Sequence, residues 1–434
     1  FFMFRKLALR IFAASCCVLF ATHEPAVSGG RPHQQMLYEV GFTSFVFNDS
    51  SRPTVGFPDG RPIAVFVWYP ADSVDGAGPA LYPMDPFYGL LPPLPSPFFE
   101  SQGFHKAYEE PAPADGPFQL VMFSPGWGAP AYGYTNIGPS LASQGVVFAA
   151  VTHYGDGSSN ILGPVTPEPL DHLATALNNR PKDISAALDV LLDRNADPDD
   201  PLNGTIDAAT VVASGHSLGG YAAMALAGGD DEVCDLGHDP YGRPISEAQC
   251  GPNFPDPRIR SIIPLDGSNQ VLWFYELARI YIPVMAMGQE WDALDAQGAS
   301  SWQARQHAAF SGHPSYRIDV NNAHHMSFSA VCAFSPYGCA SDSETHRLVN
   351  KYMVAFLKGQ QRILTPGYAV NSEPDIEFFV TEKRNPNSIV TNETGFNGQD
   401  EPGLFVYFMH QPGKATAKAE KNPINQIHVT HFGE

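Results

Sequence analysis

Positive charge is scarce in this 434-residue chain: 25 lysines and arginines stand against 45 aspartates and glutamates, a formal net charge of -20 at pH 7 with histidine neutral. A surface field of that sign repels phosphate backbones and anionic bilayers, which excludes nucleic acid as a partner and leaves neutral esters and lipids compatible. Long apolar runs are missing too. None reaches the roughly 20 residues that a membrane-spanning helix needs, so no stable membrane insertion is expected. Cysteine is limited to six residues, none in a Cys-x-x-Cys knuckle, which argues against a structural zinc site. Repeats at solenoid spacing and low-complexity linkers are likewise absent, which points to one large globular unit with decorations.

The N-terminus has the arrangement of an export signal. Arg5, Lys6 and Arg10 precede a short apolar stretch at 11–21, and Ala26-Val27-Ser28 before Gly29 offers small residues for cleavage. Residues 1–28 are therefore read as a signal peptide and the mature protein as secreted or periplasmic. A rival reading lipidates Cys16 after Ala13-Ala14-Ser15, but the leucine such a motif wants three positions upstream is missing. Loss of the signal leaves Cys234, Cys250, Cys332 and Cys339, an even set for an oxidising compartment. Pairing by proximity, Cys234 with Cys250 and Cys332 with Cys339, closes two short loops; the other connectivities remain open.

Period-two hydrophobicity at 36–47 and 63–69 predicts an opening antiparallel pair. Continuous apolar runs follow at 120–123, 146–151, 211–213, 262–265 and 284–287, interleaved with helical stretches such as 182–192. Strands buried on both faces and separated by crossover helices make a mostly parallel sheet of the α/β class. The main body is placed at 35–362, with insertions near 79–117 and 228–257 that are candidates to roof a site. A last helix is expected at 344–358. The extension 363–434 carries no assigned role; 375–381 and 404–409 are its candidate edge strands. Asp230, Asp231, Asp235 and Asp239 invite a calcium reading, but their spacing fits no recognised loop, and a solvated acidic excursion is the simpler account.

Chemistry enters with Gly215-His216-Ser217-Leu218-Gly219-Gly220, set between an apolar strand and a helix-like stretch at 221–227. A serine presented above a sheet must sit in a strained turn whose neighbours are small, and Gly215 and Gly219 supply that room. His216 is read as packing, because adjacent side chains on such a turn diverge. A neutral serine hydroxyl is a weak nucleophile until a histidine takes its proton. His307, His313, His324 and His325 are the late candidates, and the last two follow the strand-like 316–320, where a catalytic loop belongs. The acid is either Asp266, ending the strand at 262–265, or Asp292, after the strand at 284–287; both fall at the carboxyl edge, where sites of open α/β sheets form. The oxyanion needs two aimed backbone N-H groups. Leu218, following the nucleophile, offers one, and Trp127 in Phe123-Ser124-Pro125-Gly126-Trp127-Gly128 offers the second.

These residues resemble the α/β-hydrolase fold and, within it, the plasma-type platelet-activating-factor acetylhydrolases and the bacterial relatives known as predicted dienelactone hydrolases. The likeness spans about 38–358. It is carried by Val67-Trp68-Tyr69-Pro70, Phe123-Ser124-Pro125-Gly126-Trp127-Gly128, Arg180-Pro181-Lys182-Asp183-Ile184, the Ser217 turn, Pro264-Leu265-Asp266-Gly267 and His325-Met326-Ser327-Phe328. The resemblance implies a catalytic set of Ser217, Asp266 and His325, since that family draws its acid from the strand after the elbow helix and its base from the head of a His-x-x-Phe segment. The general pattern of the fold puts the acid one strand later, at Asp292. Pro125-Gly126 replaces the family's usual His-Gly, and Ser217 stands where dienelactone hydrolases proper use cysteine. The expected activity is that of a carboxylic ester hydrolase on small-molecule, lipid or polymeric esters, with no metal or organic cofactor. Aromatics at 87–99 and Trp291 suggest an apolar cleft. Amide hydrolysis on the same residues, or a binding protein on the same scaffold, are the alternatives.

Overall fold

The computed structural model describes residues 37–156, 173–230, 233, 244–245, 254–267, 271–289, 309–312, 315–321, 323–364 and 416–419. Its strands are β1 (Glu39–Asp49), β2 (Arg61–Ala71), β3 (Leu81–Tyr82), β4 (Leu94–Pro95), β5 (Tyr108–Glu109), β6 (Phe118–Ser124), β7 (Val146–His153), β8 (Ile206–His216), β9 (Ile259–Leu265), β10 (Val284–Gln289), β11 (Ser315–Asn321) and β12 (Thr416–Ala419). All but β3 and β4 join one sheet in the order β12-β11-β10-β9-β8-β6-β7-β2-β1-β5. The expected opening pair is present, β1 running antiparallel to β2 with Phe42 opposite Trp68. From β7 through β6, β8, β9, β10 and β11 every neighbour is parallel.

The continuous apolar runs have a direct explanation in the pleat. Successive side chains point to opposite faces, and both faces are covered. Val121 and Phe123 of β6, Phe148 and Ala150 of β7, and Phe66 and Trp68 of β2 enter one core layer. Leu120 and Met122, Val147 and Ala149, and Val65 and Val67 of the same strands enter the other. The first layer is closed by α3 (Ser343–Leu364) through Leu348, Tyr352, Met353 and Phe356. The second is closed by α1 (Leu173–Ala196) and α2 (Leu218–Met224), which bring Leu177, Ile184, Leu188 and Tyr221. Full burial of each large apolar side chain stabilises the fold by about 1.5–3 kcal/mol. Crossover helices on both faces of this strand order give the α/β-hydrolase fold.

Differences from the sequence reading have physical causes. The helix expected at 182–192 begins at Leu173 and carries Pro181 in its interior. Proline removes a helical N-H and costs about 3 kcal/mol, so a local reading stops there, whereas burial of Leu173, Ala174 and Leu177 against the sheet carries the helix across it. The helix after Ser217 starts at once, at Leu218 rather than at 221, and passes into a π-turn at Ala225–Gly229. In the extension, Thr416–Ala419 pairs antiparallel with β11; the strands expected at 375–381 and 404–409 lie outside the described residues, as do 1–28.

The 79–117 insertion contributes to the core. Phe99, expected to line a cleft, is buried there against Tyr82, with ring centroids 5.6 Å apart, and Phe98 meets Phe334 at 5.5 Å. An aromatic ring of that size has no reason to remain on a surface when an apolar layer is within reach. Gln102 Oε1 accepts the backbone N-H of Cys339 at 3.2 Å, tying the insertion to the chain beyond His325. Cys332 and Cys339 form the expected disulfide. Cys234 and Cys250, most of the 228–257 insertion, Asp231, Asp235, Asp239 and Trp291 lie outside the described residues. Among the described residues no helix is long and apolar enough to cross a membrane.

Candidate active site

The turn after β8 is shaped by exclusion of side chains. A Cβ on Gly219 would lie 1.8 Å from the carbonyl oxygen of Ser124, and one on Gly215 would lie 2.3 Å from that of Gly219. Only glycine permits such an approach of strand, loop and helix. Ser217, between them, adopts φ 56 and ψ -121 at the N-cap of α2. Its N-H donates to the Leu265 carbonyl at 3.0 Å. Through 211–220 every residue is buried except Ser217, which is partly exposed. Strand and helix thus hold one hydroxyl-bearing residue up to solvent in a backbone conformation that non-glycine residues rarely take.

Asp266 directly follows β9, the strand beside β8, and it too has positive φ, 41. Its N-H reaches the Met287 carbonyl of β10 at 2.6 Å, which fixes the buried carboxyl at the sheet's carboxyl edge. Oδ2 stands 2.5 Å from Nδ1 of His325, partly exposed at the start of the turn His325–Phe328. The adjacent His324 turns elsewhere, its Nε2 lying 3.5 Å from Asp342 Oδ1. The same carboxylate oxygen accepts the Ser327 hydroxyl at 2.7 Å, so the two neighbouring imidazoles are directed by different carboxylates. Asp292, His307 and His313 lie outside the described residues.

The ring of His325 packs on that of His216, with centroids 4.6 Å apart. His216 is buried, as the packing role requires, with Nδ1 2.9 Å from the Tyr134 hydroxyl. Burial, and next the neighbouring His325, hold its proton affinity well below that of an ordinary histidine. It stays neutral and does not repel a positive charge on the ring above it.

His216, Asp266 and His325 bring ligand atoms within 4.8 Å of one another, the composition of a metal site. The geometry is that of a hydrogen-bonded pair instead. Two ligands of a tetrahedral zinc stand about 3.3 Å apart, given metal-ligand distances near 2.0 Å, whereas Asp266 Oδ2 and His325 Nδ1 are 2.5 Å apart.

Leu218 is the first residue of α2, where the helix leaves N-H groups without intrahelical acceptors. Trp127, half-buried, follows β6 across the turn. The loop before it abuts the turn at Ser217: a Cβ on Gly126 would sit 3.4 Å from Ser217 Cβ. The Gly126 N-H donates to Tyr134 Oη at 2.8 Å. Beneath this loop lies a buried polar network that sequence reasoning missed. Asp183 accepts from Arg61 Nε at 2.9 Å and from Arg61 Nη2 at 3.0 Å, and faces His153 Nδ1 at 3.0 Å. His153 Nε2 meets Ser124 Oγ at 2.9 Å. Burial opposes ionisation of Asp183, but Arg61 and Arg52 outweigh it and hold the carboxyl far below its usual range; burial, then Arg180, depress His153. The only signal in the sequence was Arg180-Pro181-Lys182-Asp183, whose partners at 61, 124 and 153 are remote along the chain.

In α3, His346 is buried, its Nε2 3.1 Å from the Ser329 carbonyl. Burial depresses its pKa to about 4 from 6.5, against the opposing pull of Asp342. The unfolded chain therefore takes up this proton in a range where the folded one does not. The group's stabilisation is complete above 6.5 and is lost as pH falls towards about 4. His346→Gln is expected to flatten the pH dependence of the urea-unfolding free energy in that window by about 1.4 kcal/mol per pH unit. An unchanged slope in the folded variant would rule this out. His153 and His216, shifted in the same direction, leave a residual slope in the variant.

No protein-family model matches the chain, and no curated protein matches it. Among solved structures it is similar to a ferulic acid esterase from Streptomyces cinnamoneus at 21% identity and a TM-score of 0.48, over 74% of this chain and 90% of that one. A likeness of that size bears on neither substrate nor mechanism; the fold is defined by the strand order and pairing themselves.

Proposed function

We propose that the protein is an exported serine carboxylic-ester hydrolase that works through Ser217, His325 and Asp266. The observation that carries the reading is a single partly exposed serine, held at positive φ in a buried turn, beside a hydrogen-bonded Asp266–His325 pair. The Asp266 carboxylate, on Nδ1, orients the imidazole and stabilises it once protonated. Nε2 is then directed to take the Ser217 proton as Oγ attacks the ester carbonyl. The N-H groups of Leu218 and Trp127 donate to the tetrahedral oxyanion. The imidazolium returns its proton to the leaving alcohol, and water, deprotonated by the same ring, releases the acid and regenerates the serine. No cofactor takes part. The acetylhydrolase resemblance agrees on the position of the acid, and the Cys332–Cys339 disulfide suits an oxidising compartment outside the cytosol.

The test combines labelling with a substrate series. A fluorophosphonate is expected to modify Ser217, located by peptide mass spectrometry. The purified protein is expected to hydrolyse p-nitrophenyl esters from acetyl to palmitoyl, with the chain-length profile sizing the pocket. Absence of both labelling and ester turnover would leave a binding protein on this scaffold; cleavage of a matched anilide at the ester's rate would make it an amidase.

A further inference from the structure

Arg180 is among the largest fully buried side chains in the protein. A guanidinium taken wholly out of water costs several kcal/mol unless its charge and donors are satisfied. Its partners here are concentrated on one short loop. Nη1 donates to Ser124 Oγ at 3.0 Å and to the Pro125 carbonyl, and Nη2 donates to the Gly126 carbonyl at 3.1 Å. The charge is met by Asp156, whose Oδ2 accepts from Nη2. Ser124 Oγ also meets His153 Nε2 at 2.9 Å, and His153 Nδ1 faces the Asp183 carboxylate. With its proton on Nδ1, towards that carboxylate, His153 accepts the Ser124 hydroxyl hydrogen at Nε2. That leaves the serine's lone pairs for Arg180. The loop carrying Trp127 is thus held from beneath by one cation, which a second carboxylate supports through an imidazole.

The carbonyl of Gly126 and the N-H of Trp127 belong to one trans peptide plane, in which they point in opposite directions. Fixing the first on Arg180 therefore aims the second away from Arg180. The turn at Ser217 adjoins this loop, marked by the approach of Gly126 to Ser217 and by the Tyr134 hydroxyl that joins Gly126 N-H to His216. We propose that Arg180 is a positioning residue for the oxyanion-binding amide: by gripping the Pro125 and Gly126 carbonyls it holds the Trp127 N-H towards the carbonyl oxygen of a substrate attacked by Ser217. The inference rests on the serine-hydrolase reading above.

Lysine keeps the charge of arginine but lacks the planar fork that spans two carbonyls and a carboxylate. Arg180→Lys is expected to lower kcat on p-nitrophenyl acetate by about 100-fold, the effect of misplacing one oxyanion donor. KM is expected to change by less than about threefold, since the ground-state carbonyl is held little more tightly than in water. The affinity for a trifluoromethyl ketone, which adds the serine to form a tetrahedral oxyanion, is expected to fall in parallel with kcat. A role confined to stability would lower the melting temperature and leave the ketone affinity and kcat of the folded fraction intact, and that result would overturn the proposal. Asp156→Asn leaves the guanidinium in place without its counter-charge and is expected to lower kcat and ketone affinity by about tenfold. It decides the question by the same criteria if the lysine variant does not fold. A wild type inert to ester and ketone would instead sink the hydrolase reading itself.

Discussion

Replacing Ser217 with alanine is expected to lower kcat on p-nitrophenyl acetate by about 10⁵-fold while leaving the unfolding midpoint within the error of the wild type. The size follows from what is lost: the covalent route, and with it the use of the imidazole as a base towards a held nucleophile. Loss should be incomplete, because the amides of Leu218 and Trp127 would still favour attack by water. The unchanged midpoint follows from the site's construction. Ser217 is partly exposed, and the backbone bonds that fix its turn, its N-H donating to the Leu265 carbonyl and its carbonyl accepting from the Gly220 N-H, are ones that alanine keeps. Full activity in the alanine variant would show that the turnover belongs to another group.

Asp266→Asn is the second large effect, a fall of about 10⁴-fold in kcat at neutral pH. The carboxylate stands 2.5 Å from Nδ1 of His325 and is buried. An amide presenting its nitrogen there would favour the tautomer with the proton on Nε2, which cannot accept hydrogen from serine. The charge that stabilises the imidazolium is lost as well. Asp292→Asn is the paired control, expected to change the rate by no more than about twofold, as for a residue outside the reacting set. Exchange of the two outcomes would move the acid to the end of β10, the arrangement the general pattern of the fold prefers.

Much of this molecule was legible along the chain because the relevant physics is local. Apolar runs of strand length alternate with helical periodicity, so the parallel sheet could be read from burial on both faces. The turn at Ser217 was legible because glycines at 215 and 219 are dictated by approaches as close as 1.8 Å, which no other residue tolerates. The cysteines at 332 and 339 were close enough in sequence to suggest their own pairing.

What the sequence left open needed distances between remote segments. Two adjacent histidines have the same composition and neighbours. Only the three-dimensional path shows that His325 meets Asp266 while His324 is directed to Asp342. A local rule halts a helix at Pro181, but packing of 173–177 against the sheet overrides it. Arg180 and Asp183 enter the sequence reading only within a segment that carries the resemblance, and Asp156 and His153 do not enter it at all. Their burial as one network under the Trp127 loop exists only once β6, β7 and α1 are packed together, because charges leave water only where partners from several elements converge. Residue type and short-range spacing thus determined the fold and the strained turn at Ser217. Which carboxylate meets which histidine, and what holds the adjoining loop, was decided by tertiary structure, since hydrogen bonds select their partners by position in space.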